Sequence, residues 1–242
     1  MNTNKHIAII LRGHERNVFK TPALSNFLYK LSQQYSIDFY IHTYNKSVGN
    51  ISWRSQSEYT LYPITEELVN NYFSNITIKS LQIDDETTIQ LYGNIENRVC
   101  SGPCPRIAWK RMWNGKYKAI EAVYKSGIKY DFVINTRFDI LNFHSESILL
   151  DKINEVYNKR SVIQIYFLQQ EPIPGIDNFY ISNMQILYIL FKKFHENLES
   201  IEMKYPKTWY TEYLVFYESL LLNYEMMFYA SQQITEVHNF KI

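Results

Sequence analysis

The chain has 242 residues, 46% hydrophobic and 20% charged, which is enough for a self-sufficient core and too apolar for an intrinsically disordered chain. Its 25 basic and 24 acidic residues leave a formal net charge of +1, so no whole-molecule field draws nucleic acid or an anionic membrane, and any phosphate site must be local. Tyrosine (21) and phenylalanine (14) are abundant, while the 7 glycines leave little room for a Gly-rich phosphate loop.

The polar start Met1 to His6 and the short apolar run Ile7 to Leu11 suit neither a signal sequence nor a membrane span. Ile186 to Phe191 is also too short. The expectation is a cytoplasmic protein without an integral membrane segment. Ile7–Leu11 itself reads as a strand buried on both faces. Arg12-Gly13-His14 follows it as a turn, and Pro22 opens a helix with Leu24, Phe27, Leu28 and Leu31 on one face. Residues 37–43 form a second strand. Strand, helix and strand in that span make a βαβ unit, which calls for a parallel sheet with a right-handed crossover.

Residues 45–63 read as loop, 64–73 as a short helix and 76–83 as a third strand. Residues 86–105 are irregular and hold both cysteines in CSGPC, which matches neither a four-ligand zinc site nor a redox CxxC and reads as two reduced thiols. The sequons at Asn45, Asn50 and Asn75 carry weight only in an exported protein. A long helix follows over 107–125, with Trp113, Tyr117, Ile120 and Tyr124 on one face and Gly127 as its stop. Its basic cluster Lys110, Arg111, Lys116 and Lys118 reads as a solvated face with one or two useful members.

Tyr130-Asp-Phe-Val-Ile-Asn-Thr136 is the strongest buried strand, and it runs into Arg137-Phe138-Asp139. Another strand over 161–168, a turn at Pro172, Pro174 and Gly175, a strand-like stretch over 176–181, and helices over 184–199 and 211–224 complete the pattern. Alternating strands and helices mean α/β. Nothing demands a second domain.

Ligands in open α/β sheets bind beyond the carboxyl ends of strands, at a switch point. Arg137 and Asp139, two residues apart at such an end, can share one face of the extended chain. The carboxylate suits a divalent cation bridging two phosphates, and the guanidinium suits a diphosphate directly. A surface ion pair at a strand end is the bland alternative. GxxxxGK[ST], HExxH, GxSxG and GxGxxG do not occur, which weakens a P-loop kinase, a zincin, a serine hydrolase and a nicotinamide dehydrogenase.

The opening strand with Arg12-Gly13, DFYIHTYN after the first helix, the long helix and YDFVINTRFDI together resemble small glycosyltransferases of bacterial surface-polysaccharide loci and giant viruses, of the GT-A group. That resemblance implies a single GT-A-like, Rossmann-type domain over 1–242 with a mostly parallel sheet flanked by helices. A nucleotide-sugar half would cover about 1–140 and an acceptor half about 141–242. It also implies transfer of a sugar from a nucleoside-diphosphate sugar to a glycan or glycolipid. Arg137 stands where the first Asp of the usual Asp-x-Asp would be, so Asp139 is left to hold Mn²⁺ or Mg²⁺ and the arginine to share the cation's work.

On the same pattern Arg12, Gly13, Arg16 and Arg137 receive the nucleotide diphosphate, and His42 and Thr43 line the base or ribose. Asp177, in Asp177-Asn178-Phe179, is the first candidate for the general base that removes the acceptor proton. Glu218 and Glu212 stand behind it. Trp109, Trp113 and Trp209 are core residues or sugar-stacking platforms. A sugar-phosphate nucleotidyltransferase and a non-catalytic glycan- or protein-binding domain remain alternatives.

Overall fold

The computed structural model describes residues 5–47, 62–159, 161–168 and 176–239, with backbone alone over 228–239. Strand β1 (His6–Arg12) leads through α1 (Ala23–Gln34) to β2 (Ser36–Tyr44), then α2 (Glu66–Tyr72) and β3 (Ile78–Asp84). The long α3 (Arg106–Lys125) precedes β4 (Phe132–Arg137), followed by α4 (Glu146–Tyr157), β5 (Tyr166–Phe167) and β6 (Phe179–Ser182). Helices α5 (Met184–Glu196), α6 (Leu198–Lys204) and α7 (Thr211–Asn239) close the chain. The strands form one six-stranded sheet in the order β3-β2-β1-β4-β6-β5. β1, β2, β3 and β4 run parallel, and β6 lies antiparallel to both β4 and β5. This is a Rossmann-like α/β arrangement, and the single sheet passes through both halves of the chain.

Alternation along the strands divides the core. Ile7, Ile9, Leu11, Phe39, Ile41, Phe132 and Ile134 pack on one face with Leu24, Phe27 and Leu31 of α1 and Leu149, Ile153 and Val156 of α4. Ala8, Ile10, Tyr40, Val133 and Tyr180 pack on the other with Trp113, Ile120 and Val123 of α3 and Leu187, Leu190 and Phe194 of α5. Trp113 locks α3 to α5 by stacking on Phe194 at a centroid distance of 4.1 Å. Trp109 and Trp113 are therefore core residues, whereas Trp209 is 56% exposed.

Several expected boundaries shift for identifiable reasons. Helix α4 occupies the stretch between the expected strands over 130–136 and 161–168. Ser145 caps it by accepting the Ile148 amide, and Leu149, Ile153 and Val156 supply its buried stripe. The expected strand over 161–168 shrinks to two residues because side chains take its backbone groups. Asn223 accepts from the Ile165 amide, Ser182 Oγ donates to the Gln164 carbonyl and Asn183 Nδ2 donates to the Val162 carbonyl. Ile176–Asn178 is a 3-10 turn ahead of β6, not strand.

The helix expected over 184–199 breaks at Asn197, where φ −128 and ψ 33 leave the helical region. α7 passes its expected stop at Tyr224 because neither glycine nor proline follows. Cys100 and Cys104 are not joined in a disulfide. The expected turn at Pro172, Pro174 and Gly175 and the sequon at Asn50 lie outside the described residues. Among the described residues no helix is long and apolar enough to cross a membrane.

Candidate active site

β2 adjoins β1 on one side and β4 adjoins it on the other, so the chain reverses its direction of travel across the sheet between β1 and β4. That is the switch point at which open α/β sheets form a crevice beyond their carboxyl strand ends. The register places His42 opposite Arg12 and Arg12 opposite Arg137. The three side chains thus form one row on the α3 face of the sheet. One step inward, Asn135 is buried between Ile10 and Tyr180. Neither its amide nor Arg12 Nε has a hydrogen-bond partner among the described residues.

A 3-10 turn over Phe138–Asn142 follows β4 directly and folds Asp139 back onto Arg137. The pair is bidentate: Arg137 Nε donates to Asp139 Oδ1 at 2.7 Å and Nη2 to Oδ2 at 2.5 Å. Arg137 Nη1 also donates to Asn178 Oδ1 at 3.0 Å. Arg16 Nη1 reaches the same carboxylate at 3.2 Å. Its backbone φ of 52° is a left-handed value that costs a non-glycine residue conformational energy. The loop is held there by the buried Glu15, which accepts from Ser47 Oγ and from the Phe19 amide. Gly13 turns the chain out of β1 at φ +93 and donates its amide to the His42 carbonyl. Burial, followed by the charge of Arg137, pushes the Arg16 guanidinium down to about 10. Cations crowd this turn.

On the other side of Arg12 lies a buried ion pair. Lys116 of α3 is fully buried and donates to Asp177 Oδ2 at 3.2 Å. Its ammonium also sits 3.9 Å from the Trp113 ring centre, a cation–π contact. Arg12 Nη2 donates to the Asp177 carbonyl at 2.5 Å and stands 3.9 Å from the Asp177 carboxylate. Burial alone would raise the Asp177 carboxyl, yet the charges of Lys116, Arg12 and Arg137 hold it below the usual carboxylate range. Burial drives the Lys116 ammonium well below its own usual range.

The far end of the row is built on His42. Its Nε2 pairs with Asp84 Oδ2 at 3.0 Å, and Asp84 also takes Lys118 Nζ at 2.5 Å. Burial lowers the His42 imidazole against the pull of Asp84, which favours the neutral ring. Beside it, His14 Nε2 lies 3.6 Å from Glu86, and Arg111 reaches Glu86 at 3.2 Å. The His14 ring packs on Tyr44 at a centroid distance of 4.5 Å.

Arg12, Gly13, Arg16, His42, Arg137, Asp139 and Asp177 are therefore brought together. Thr43, next along β2, faces the opposite side of the sheet from His42. Glu218 belongs to a separate set of ion pairs on α7, with Lys193 and Lys204, and Glu212 is buried at the start of that helix, beside Thr211 Oγ1. The basic stretch of α3 is not a solvated face. Lys110 and Lys116 are buried, and Lys110, Arg111, Lys116 and Lys118 each meet a carboxylate. The stretch is legible as basic from its residue types, but nothing in it signals that Asp177 and Asp84 arrive from distant segments to meet it.

A divalent cation does not fit this donor set. Both oxygens of Asp139 accept from guanidiniums, and Asp177 is engaged by Lys116. Among the described residues no group of three or more His, Cys, Asp or Glu is placed to hold an ion. The complementary ligand is an anion, because four basic side chains (Arg12, Arg16, Lys116 and Arg137) surround two carboxylates. Compared with known proteins, the chain matches no family model, and no curated protein and no solved structure is found similar to it.

Proposed function

We propose that this protein is a glycosyltransferase that moves a sugar from a nucleoside-diphosphate sugar to a glycan or glycolipid acceptor. The observation that carries the reading is the His42–Arg12–Arg137 row at the switch point, with Arg16 and Lys116 beside it. Breaking the bond between the sugar's anomeric carbon and the β-phosphate oxygen leaves negative charge on the diphosphate. Fixed donors aimed at that charge, in a site shielded from water, are the largest rate term such a reaction offers. Guanidiniums suit the task because they stay charged and give two parallel hydrogen bonds to an oxyanion. In this reading Arg12, Arg137 and Arg16 grip the diphosphate, and Asp139 orients Arg137 and Arg16.

His42, with the His14–Tyr44 ring pair beyond it, borders the base and ribose. Asp177 is assigned to anchoring Lys116 and Arg12. A carboxylate already paired with an ammonium and held below its usual range is a poor proton acceptor at neutral pH. A thermal-shift screen of nucleoside mono-, di- and triphosphates and of nucleotide sugars tests the reading, since a ligand of the native state raises its stability. One nucleoside diphosphate and its sugar conjugate should give the largest shifts, and that conjugate should release the diphosphate on incubation with acceptor. Pyrophosphate release from a nucleoside triphosphate and a sugar phosphate would instead support a nucleotidyltransferase. Shifts with no member of the panel would defeat both.

A further inference from the structure

The segment between α6 and α7 exposes more aromatic surface than its own packing requires. Trp209 is 56% exposed, Tyr210 41% and Tyr217 37%. With Tyr205 and Tyr213 they line a surface cleft of about 550 Å³, within the range of small-molecule sites. The rings are arrayed in sequence: Tyr210 and Tyr213 lie 6.2 Å apart at 25°, Tyr213 and Tyr217 6.1 Å, and Tyr217 and Tyr205 5.2 Å.

These side chains are not on a frayed loop. Ser101 Oγ donates to the Thr208 carbonyl, and Thr208 N to the Tyr205 carbonyl. The Trp209 carbonyl passes so close to Gly102 that a Cβ there would stand 1.9 Å from it. The segment is therefore clamped from below by the CSGPC loop while its aromatic rings stay in water. Burying them would lower the free energy, so their exposure on a fixed backbone leaves apolar surface that a ligand could cover.

The cleft also has a charge sign. Its lining includes Lys204 and Lys207 and no carboxylate. Beneath it the buried Glu218 is paired with Lys193 and Lys204, which leaves Lys207 as the cation at the rim that pairs with no carboxylate among the described residues. α7, which carries Tyr213 and Tyr217, packs against the 3-10 turn bearing Asp177 and Asn178. The same helix thus connects this cleft to the arginine row.

We infer that this cleft is a binding subsite for an acidic oligosaccharide, the acceptor of the proposed transfer, with sugar faces on Trp209, Tyr213 and Tyr217 and a sugar carboxylate at Lys207. Flat aromatic faces match the C–H faces of pyranose rings. Tyrosine hydroxyls reach sugar hydroxyls, and a cation at the rim selects an acidic glycan over a neutral one. The acceptor role rests on the glycosyltransferase reading. The binding site does not.

The test titrates the whole protein, without nucleotide, and follows tryptophan fluorescence and saturation-transfer NMR. The probes are a tetrasaccharide of alternating hexuronic acid and N-acetylhexosamine, neutral cellotetraose and an acidic tetrapeptide. The acidic tetrasaccharide should bind at least tenfold more tightly than cellotetraose, with an affinity that falls as salt rises. Trp209→Ala, at an exposed position, should lose at least tenfold while its unfolding midpoint stays within a few degrees. Lys207→Ala should bring the acidic and neutral sugars to equal affinity. The inference is overturned if no saccharide binds, if Trp209→Ala binds as well as the wild type, or if the peptide or the neutral sugar binds equally well. A parallel titration with nucleoside diphosphates separates the two readings: sugar binding without nucleotide binding would keep the cleft and sink the transfer reaction, and nucleotide binding without sugar binding would do the reverse.

Discussion

Arg12 and Arg137 are register partners at the carboxyl ends of adjacent parallel strands, so two guanidiniums emerge side by side from the middle of the sheet. Each is restrained differently: Arg12 by the Asp177 carbonyl and Arg137 by the Asp139 carboxylate and Asn178. Like charges placed this close repel, and burial makes the repulsion more costly. Asp139 and Asp177 offset part of that cost, and a bound dianion would offset more.

Arg137→Ala removes the partly exposed member of the pair and leaves the buried one. A charge-assisted hydrogen bond to phosphate contributes roughly 1.5–3 kcal/mol. Nucleoside-diphosphate binding should therefore weaken by about 10- to 100-fold by calorimetry, with sugar transfer falling at least as far. A folded Arg137→Ala protein with wild-type affinity and rate would defeat the assignment of this row to the diphosphate.

Because the carboxylates of the site are already engaged by basic side chains, nucleotide binding should persist when divalent cations are removed. Calorimetric affinities in EDTA and in millimolar Mn²⁺ should agree within about threefold, less than ~1 kcal/mol. A collapse of affinity in EDTA would show that Asp139 leaves its arginines to take a metal.

Much of this architecture was legible in the chain. The apolar runs Ile7–Leu11 and Phe132–Ile134 have no polar break and belong to the two central strands. Leu24, Phe27, Leu28 and Leu31 marked the buried face of α1. The row itself was legible as single members, since Arg12, His42 and Arg137 each stand at a strand end. Their alignment depends on register, which local pattern does not encode. Helix α4 carries a signal in the cap Ser145 and the helically spaced Leu149, Ile153 and Val156. Lys116 left none, because a lysine in a basic helical stretch reads as solvated until the tertiary partner Asp177 is known.

Asp177→Asn tests the buried ion pair. The change keeps the side chain's size but leaves Lys116 and Arg12 without their anion, and removing one member of a buried pair costs about 3–5 kcal/mol. For a domain of this size each kcal/mol moves the melting temperature by roughly 2–4 °C, so a fall of about 6–20 °C is expected by calorimetry. Nucleoside diphosphate should restore more of the midpoint in this variant than in the wild type, because the ligand's charge replaces the lost one. Equal melting temperatures for the two proteins would show that the pair contributes little.

His195 supplies a pH dependence with a definite sign. Its ring is stacked on Tyr117 and edge-on to Tyr92. Burial, followed by the nearby charge of Lys118, lowers it to about 4. An unfolded histidine titrates near 6.5, so between these values the unfolded chain binds the proton and the native one does not. Stability should therefore be complete above about pH 6.5 and decline as pH falls toward 4. His42, lowered in the same direction, adds to the slope. Urea midpoints across that window should show the decline, and His195→Gln should flatten it. An unchanged slope in the variant would place the titration elsewhere.

Gly115→Ala sets two effects of opposite sign against each other. In the interior of α3, alanine is favoured over glycine by about 1 kcal/mol on helix propensity alone. A Cβ at this position, however, would lie 2.9 Å from His42 Nδ1, 3.1 Å from Cε1 and 3.5 Å from the Tyr44 hydroxyl. The imidazole has nowhere to go: it is fully buried, and its Nε2 is tied to Asp84 at 3.0 Å. Overpacking of this kind costs about 1–3 kcal/mol, so the clash should outweigh the propensity gain and lower the urea midpoint. Because the displaced ring is one end of the His42–Arg12–Arg137 row, nucleotide affinity should fall with stability, and the shortened His42→Ala side chain should relieve the clash in the double variant. A Gly115→Ala protein more stable than the wild type would mean that propensity decides the outcome, and that α3 does not press His42 into the row.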